Sequence, residues 1–353
     1  MKMPRKRIIP LFIPFFGCKS QCVFCDQRML TGTGNTAPTS EDIWMILEQA
    51  LKLQPSGQKV EAAFYGGSFT ALPLQQQKEL LTPAQHFLNR GMLTGIRLST
   101  RPDAIEEEAA RWLKTQGVSC VELGAQSLCD SVLNAAKRGY DFSCVEKAVA
   151  VLRQVGLTVG VQLMPGLPGE TRLLWQKTLQ RLWKLAPDFI RLYPTVVLAG
   201  TELAAAYMNG AYTPLSLTEA VERTAWALDG CQQRRIGVIR MGLQDSEELH
   251  SAKLLAGPYH PAFGELVWSF LVRQQVLHGL EQLSSSACRL FYHPQDASKV
   301  RGQKNENLRQ WKEAGFGEVV LQAKTSVCPG SLQLELTKGQ KIVKLGALGR
   351  LYC

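Results

Sequence analysis

Three of the chain's ten cysteines fall within eight residues, in the run Gly17-Cys18-Lys19-Ser20-Gln21-Cys22-Val23-Phe24-Cys25. The spacing is C-x3-C-x2-C. Three thiolates on one short loop can close around one face of a metal cluster and fill three of its four corners, where iron–sulfur clusters normally take four protein ligands. No fourth Cys or His lies nearby, so one iron would keep an open position, the feature that separates catalytic from structural metal sites. A structural zinc with a distant fourth ligand and a chance grouping are the alternatives. A disulfide scaffold would be shorter and denser in cysteine. Clustered thiols in a long chain point instead to metal in a reducing compartment, hence a cytoplasmic protein.

Such a loop needs a rigid platform, and the sequence supplies one. Apolar runs at 8–16, 60–65, 95–100, 118–123, 157–164, 189–193 and 236–241 read as strands. Between them lie helical patterns. Ser40 opens one with Ile43, Ile46, Leu47, Ala50 and Leu51 on one face. Others span 74–90, with a kink or split expected at Pro83, then 105–116, 142–155, 171–185 and 217–234. Strands that are apolar throughout and alternate with helices argue a parallel sheet covered by helices. In a parallel α/β barrel the loops after the strands form the active face. The strand ends here carry Cys, Gly-Gly, Ser-Thr-Arg, Gln and Pro-Gly, so the unusual chemistry falls on one rim.

The triple-cysteine loop after the first strand resembles the radical SAM superfamily, whose signature is C-x3-C-x-aromatic-C, with Phe24 in the aromatic place. It is similar to the branch related to the radical SAM domain of the elongator catalytic subunit. The resemblance covers roughly residues 8–245. It implies a partial parallel (β/α) barrel of the radical SAM type and a 4Fe–4S cluster on Cys18, Cys22 and Cys25. It also implies S-adenosylmethionine chelated by the unique iron through its amino and carboxylate groups. Reductive cleavage then gives a 5′-deoxyadenosyl radical that abstracts hydrogen, chemistry carried by the cofactor while the protein orients it and excludes water. Reduced flavodoxin or ferredoxin is the implied electron donor.

Further residues fit that resemblance. Gly66, Gly67 and Ser68 follow the second strand, where paired glycines let backbone approach a ligand; a plain tight turn is the other reading. In the family this segment meets the methionine amino group. Ser99 and Arg101 end the third strand and offer ribose or carboxylate contacts, with a helix cap near Asp103 compatible. Glu122 and Gln126 bracket the fourth strand's end. A carboxylate within an apolar strand should be paired or functional; Lys137 and Arg138 are its expected partners, and Arg240 is either another partner or a substrate contact. Gln162 is expected to point into the barrel, beside the turn 165–170. Tyr193 and Val196 resemble the segment near adenine. The histidines do not cluster in sequence, and the other cysteines show no second metal spacing.

Lys plus Arg number 40 and Asp plus Glu 30, a net charge of +10, with 45% hydrophobic residues. That composition excludes a disordered chain. A length of 353 residues predicts about two domains. We expect a core over 1–245, a helical connector over 246–283 and a basic α+β extension over 284–353, which carries 11 Lys/Arg against 5 Asp/Glu. Within it, strand, helix, loop, helix and strand faintly resemble a KH-type RNA module, with Gly302-Gln303-Lys304-Asn305 where G-x-x-G would stand. Lys299, Arg301, Lys304, Arg309 and Lys312 would meet phosphates; a solvated basic face is the alternative. No acetyltransferase-like extension of the elongator kind follows, so an identical acetyl-CoA-dependent reaction is not expected.

Arg5-Lys6-Arg7, the apolar run and Gly17-Cys18 imitate a lipoprotein signal. Pro10 and Pro14 interrupt that run, however, and the cysteine trio explains Cys18 better. No run is long enough to span a membrane. The expected function is radical SAM chemistry, with tRNA modification as one reading. A small-molecule or protein substrate is a second reading, and a non-catalytic Fe–S protein that binds RNA or transfers electrons is a third.

Overall fold

The computed structural model describes residues 7–13, 22–25, 38–53, 57–244, 253–283, 287–336 and 342–345. The strands run β1 (Arg7–Phe12), β2 (Val60–Tyr65), β3 (Gly95–Thr100), β4 (Val118–Gln126), β5 (Thr158–Leu163), β6 (Phe189–Leu192), the short β7 (Val197–Leu198) and β8 (Gly237–Met241). Seven of them form one parallel sheet in chain order, with β6 beside β8. β1 and β8 do not pair with each other, so the sheet is a curled half-barrel.

The connecting helices are α1 (Ser40–Lys52), α2 (Leu74–Asn89), α3 (Glu107–Thr115), α4 (Asp130–Ala135), α5 (Phe142–Gln154), α6 (Arg172–Leu185), α7 (Glu202–Met208) and α8 (Leu217–Gln233). Their starts are written locally. Thr39 with Asp42 and Ser216 with Glu219 form capping boxes, and Asp141, Thr171 and Thr201 cap singly. Each such cap satisfies otherwise orphaned N–H groups and contributes about 1 kcal/mol. α1 buries Ile43, Leu47 and Leu51, whereas Ile46 stays exposed, so the apolar stripe is narrower than expected. The split expected at Pro83 does not occur. α2 is a single helix through it; Pro83 is buried with Leu80, Leu81, Ala84 and Phe87, and the Thr82 hydroxyl bonds the Lys78 carbonyl at 2.9 Å. Packing of that face outweighs the one missing N–H.

The connector expected as helical over 246–283 is mostly so among its described residues, with a short strand added. Its described part opens with strand β9 (Leu254–Ala256), antiparallel to β7, before helix α9 (Phe263–Leu283). Residues 245–252 lie outside the described set. Beyond it come β10 (Ala287–Tyr292), α10 (Ala297–Arg301), α11 (Glu306–Glu313), β11 (Glu318–Ala323), β12 (Leu332–Leu336) and β13 (Ile342–Leu345). This second sheet has the order β11-β10-β12-β13, with β10 and β11 parallel. One apolar cluster runs from Leu98 and Val161 in the first sheet through Trp268 and Val272 of α9 to Trp311, Leu290 and Leu334. Helix α9 therefore joins the two sheets through one continuous apolar core.

The floor of the half-barrel is tightly filled. A Cβ on Gly160 of β5 would stand 2.3 Å from ring carbons of Phe189 on β6. The same ring lies 5.1 Å from the Arg97 guanidinium. Replacing Gly160 by Ala should therefore cost about 1–3 kcal/mol through overpacking. Urea unfolding should show a lower midpoint at unchanged slope; an unshifted midpoint would contradict this floor.

Candidate active site at the C-terminal rim of the sheet

The parallel register brings the C-terminal ends of the sheet's strands to one rim. Cys22, Val23, Phe24 and Cys25 sit against it, while Cys18 lies outside the described residues. Val23 accepts the Leu203 N–H at 2.7 Å, and its own N–H reaches the Ala136 carbonyl at 3.5 Å. Phe24 is buried in a small apolar cluster with Val132, Leu167, Leu203 and Tyr212. Its place is that of an anchor for the loop.

The Cys22 sulfur is buried beside two cations. Arg138 Nη1 stands 2.8 Å from Sγ and Arg101 Nη1 3.8 Å away. Arg101 is fixed by a two-pronged pair with Asp103 (2.9 and 2.8 Å) and donates to the Arg138 carbonyl at 2.5 Å. Its guanidinium is thus committed to the cysteine loop's surroundings, where the sequence suggested ribose or a carboxylate. Arg138 also leaves its expected partner: it does not pair with Glu122, and Lys137 pairs with Glu202 instead.

Glu122 is engaged from elsewhere. Its Oε1 accepts from Tyr65 Oη (2.8 Å), Arg97 Nη1 (2.9 Å) and Arg191 Nη2 (3.1 Å), and its Oε2 lies 2.6 Å from Arg191 Nε. Arg97 reaches onward to Glu61 at 2.7 Å, and Arg191 to Tyr193 Oη at 3.1 Å. Arg240, the third expected partner, donates instead to the Gly242 carbonyl at 3.2 Å. The expectation failed because Arg138 and Lys137 project from a loop beyond the rim, whereas Arg97 and Arg191 face the same lumen as Glu122. Glu61 and Arg97 were legible by the signal that flagged Glu122, a charge within an apolar strand. Burial, then the charge of Glu122, push the Tyr65 phenol well above its ordinary pKa, so it remains a donor. Burial alone would lower Arg191, but the charge of Glu122 together with Tyr193 and Tyr65 outweighs it and the guanidinium is raised.

The rim loops are similarly organised. Gly66 has φ +90°, which a side chain would strain. Ser68 is fully buried; its hydroxyl bonds Thr100 Oγ1 at 2.9 Å and accepts the Arg101 N–H at 3.2 Å. It shapes the Gly66–Gly67 turn, while the Ser99 hydroxyl lies 3.5 Å from the Gly67 carbonyl. Gln126 has φ +70°, a costly conformation for a residue with a side chain. Its carbonyl accepts the Met164 N–H at 2.8 Å and its Oε1 takes Gln162 Nε2 at 3.1 Å. Val196 lines a small cleft with Pro194, Leu243 and Tyr259.

These positions fit an anionic sulfur-bound centre. Arg138 is only 4% exposed, and no carboxylate pairs with it among the described residues. A buried guanidinium needs a negative partner, and a metal-bound Cys22 sulfur at 2.8 Å would supply one.

Family comparison bears on the same segment. The Radical SAM superfamily model matches residues 12–182, and the Radical SAM C-terminal domain model matches 187–273. The chain belongs to the radical SAM superfamily. The family's cofactors are a 4Fe–4S cluster and S-adenosylmethionine. It is 35% identical to a tRNA uridine(34) acetyltransferase of Dehalococcoides mccartyi over 56% of this chain and 50% of that one. It is 29% identical to the human Elongator complex protein 3 over 51% and 36% of the two chains. An archaeal Methanocaldococcus infernus Elp3 structure superposes with a TM-score of 0.61 at 20% identity, covering 77% of this chain and 64% of that one. That likeness concerns the fold. The chain spans about half the length of the curated relatives it matches first.

The turn after β5 carries a titratable strut. Glu170 accepts the Gly166 N–H at 2.7 Å and pairs with Arg223 at 3.0 Å, yet burial still pushes its carboxyl up to about 7. A carboxyl raised on folding favours the folded state below its unfolded pKa and loses that contribution as pH rises toward 7. Relative to the parent, Glu170→Gln should therefore gain stability between pH 5 and pH 8. Urea midpoints at the two pH values test this, and a pH-independent difference would refute it.

Proposed function

We propose that this chain uses radical SAM chemistry to modify tRNA. The observation that carries the radical half is the buried Cys22 sulfur at the rim, matched in charge by Arg138 and held within the family's cysteine motif. Cys22, Cys25 and Cys18 would hold the 4Fe–4S cluster. With S-adenosylmethionine the cluster would supply hydrogen-abstraction chemistry at this rim. The chain's own residues perform the rest. The Gly66–Gly67 backbone, shaped by Ser68 and Ser99, lies open to a ligand's amino group. Gln126, Gln162, Tyr193 and Val196 line the lumen side where a nucleoside would lie. Arg101 supports the cysteine loop, and Glu122 acts as the counter-charge that fixes Tyr65, Arg97 and Arg191. The apolar cluster around Phe24 excludes water beneath the loop.

The tRNA half rests on similarity to proteins named tRNA uridine(34) acetyltransferase and on the charge of the C-terminal unit. In that unit Lys304 and Asn305 adopt left-handed conformations between α10 and α11 (φ +51° and +59°), the shape expected of Asn305. Of the basic residues proposed for phosphate, Lys299 pairs with Asp296 and Arg309 with Glu306. Arg301, Lys304 and Lys312 are exposed. Reduced flavodoxin or ferredoxin is the electron donor and the cytoplasm the compartment under this reading. No helix of the described residues is long and apolar enough to cross a membrane.

Anaerobically reconstituted, reduced protein should convert S-adenosylmethionine to methionine and 5′-deoxyadenosine, and Cys22→Ala should abolish the product. Product formation by Cys22→Ala at the parental rate would overturn the cluster assignment. Total tRNA should bind with a steep salt dependence, and Arg301→Glu with Lys304→Glu should weaken binding and flatten the log–log slope by about 1 per lost phosphate contact. Unchanged binding would remove this surface from the tRNA reading.

A further inference from the structure

The contact between Arg138 and Cys22 does more than balance charge. We infer that Arg138 is a positioning residue that hydrogen-bonds the Cys22 sulfur and raises the reduction potential of the centre this sulfur holds. The inference rests on the cluster reading above and adds to it the residue that tunes that cluster.

The guanidinium has no freedom to do otherwise. Nη2 donates to the Gly124 carbonyl at 2.5 Å and to Tyr140 Oη at 2.7 Å, and Nε donates to the same hydroxyl at 2.9 Å. Nη1 is thereby aimed at Sγ. The Tyr140 ring lies under both cations, 5.1 Å from Arg138 and 5.2 Å from Arg101. Arg101 is neutralised by Asp103, so within this group Arg138 supplies one unbalanced positive charge and faces the sulfur with it.

The same loop holds Cys22 in place. Ala136 accepts from Val23, left-handed Lys137 turns the chain, and Arg138 follows. Lys137 pairs with Glu202, whose neighbour Leu203 donates to the Val23 carbonyl. Backbone clamps therefore fix the distance from Arg138 to the sulfur from both sides.

The direction of the effect follows from charge. One-electron reduction adds a negative charge to the cluster and its thiolates. A buried cation donating a hydrogen bond to one of those sulfurs stabilises the reduced form more than the oxidised form. Hydrogen bonds to the sulfurs and solvent exposure are established determinants of cluster potential. Low local polarity strengthens the term, because little water screens the contact.

The test uses anaerobically reconstituted full-length protein without S-adenosylmethionine, with iron and sulfide content and a spectroelectrochemical midpoint as readouts. Arg138→Gln should load its cluster and titrate lower. The reduced-to-oxidised ratio at the parental midpoint should fall about tenfold, which is 59 mV for a one-electron couple. Tyr140→Phe keeps the charge but removes two of the guanidinium's three anchoring bonds, and should shift the potential the same way by less. A loaded Arg138→Gln at the parental potential overturns the inference. If that variant does not load, an unshifted Tyr140→Phe overturns it instead. A parental protein that takes up no iron would overturn the cluster reading itself, a different and separately visible failure.

Discussion

A buried positive charge must meet a negative one, and at the rim of this half-barrel that requirement organises the chemistry. Arg138 is enclosed by a carbonyl, a phenol and a sulfur. Two neutral oxygens do not offset the cost of removing a guanidinium from water. The sulfur of Cys22 therefore belongs to the electrostatics of the fold as well as to any metal it binds. Its neighbour Val23 is tied by backbone bonds to Ala136, just beyond α4, and to Leu203 of α7.

The lumen obeys the same requirement with a different solution. Glu61, Arg97, Glu122 and Arg191 alternate in sign across β2, β3, β4 and β6, with Tyr65 and Tyr193 as neutral donors and acceptors. Alternation lets the two inner charges, Arg97 and Glu122, each be shared by two neighbours. Breaking one member would leave an uncompensated charge in a low-dielectric space, which is costlier than never having buried the pair. The result is a rigid polar floor beneath a rim of glycine and glutamine turns, a suitable base for orienting a reactive ligand.

The C-terminal unit connects to this platform through α9, whose Trp268 and Val272 belong to the same apolar cluster as the barrel. Its parallel β10–β11 pair and intervening helices give a second sheet continuous with the first in packing. Among the basic residues there, Lys299 and Arg309 are committed to local carboxylates.

The cysteine spacing, the strand and helix alternation and the rim residues were all readable in the chain, because each is local. Periodicity, caps and turn glycines act over a few residues, and the seven sheet strands fell within or close to the expected runs. The partners of Glu122 were not readable. Arg97 precedes it by 25 residues and Arg191 follows by 69, and only the inward curl of the sheet brings them to one carboxylate. The assignment of Arg138 to Cys22, 116 residues away, is likewise tertiary. Sequence names the charges that must be paired; the fold chooses the pairs, because burial and distance decide electrostatic energy and neither is a property of the linear chain.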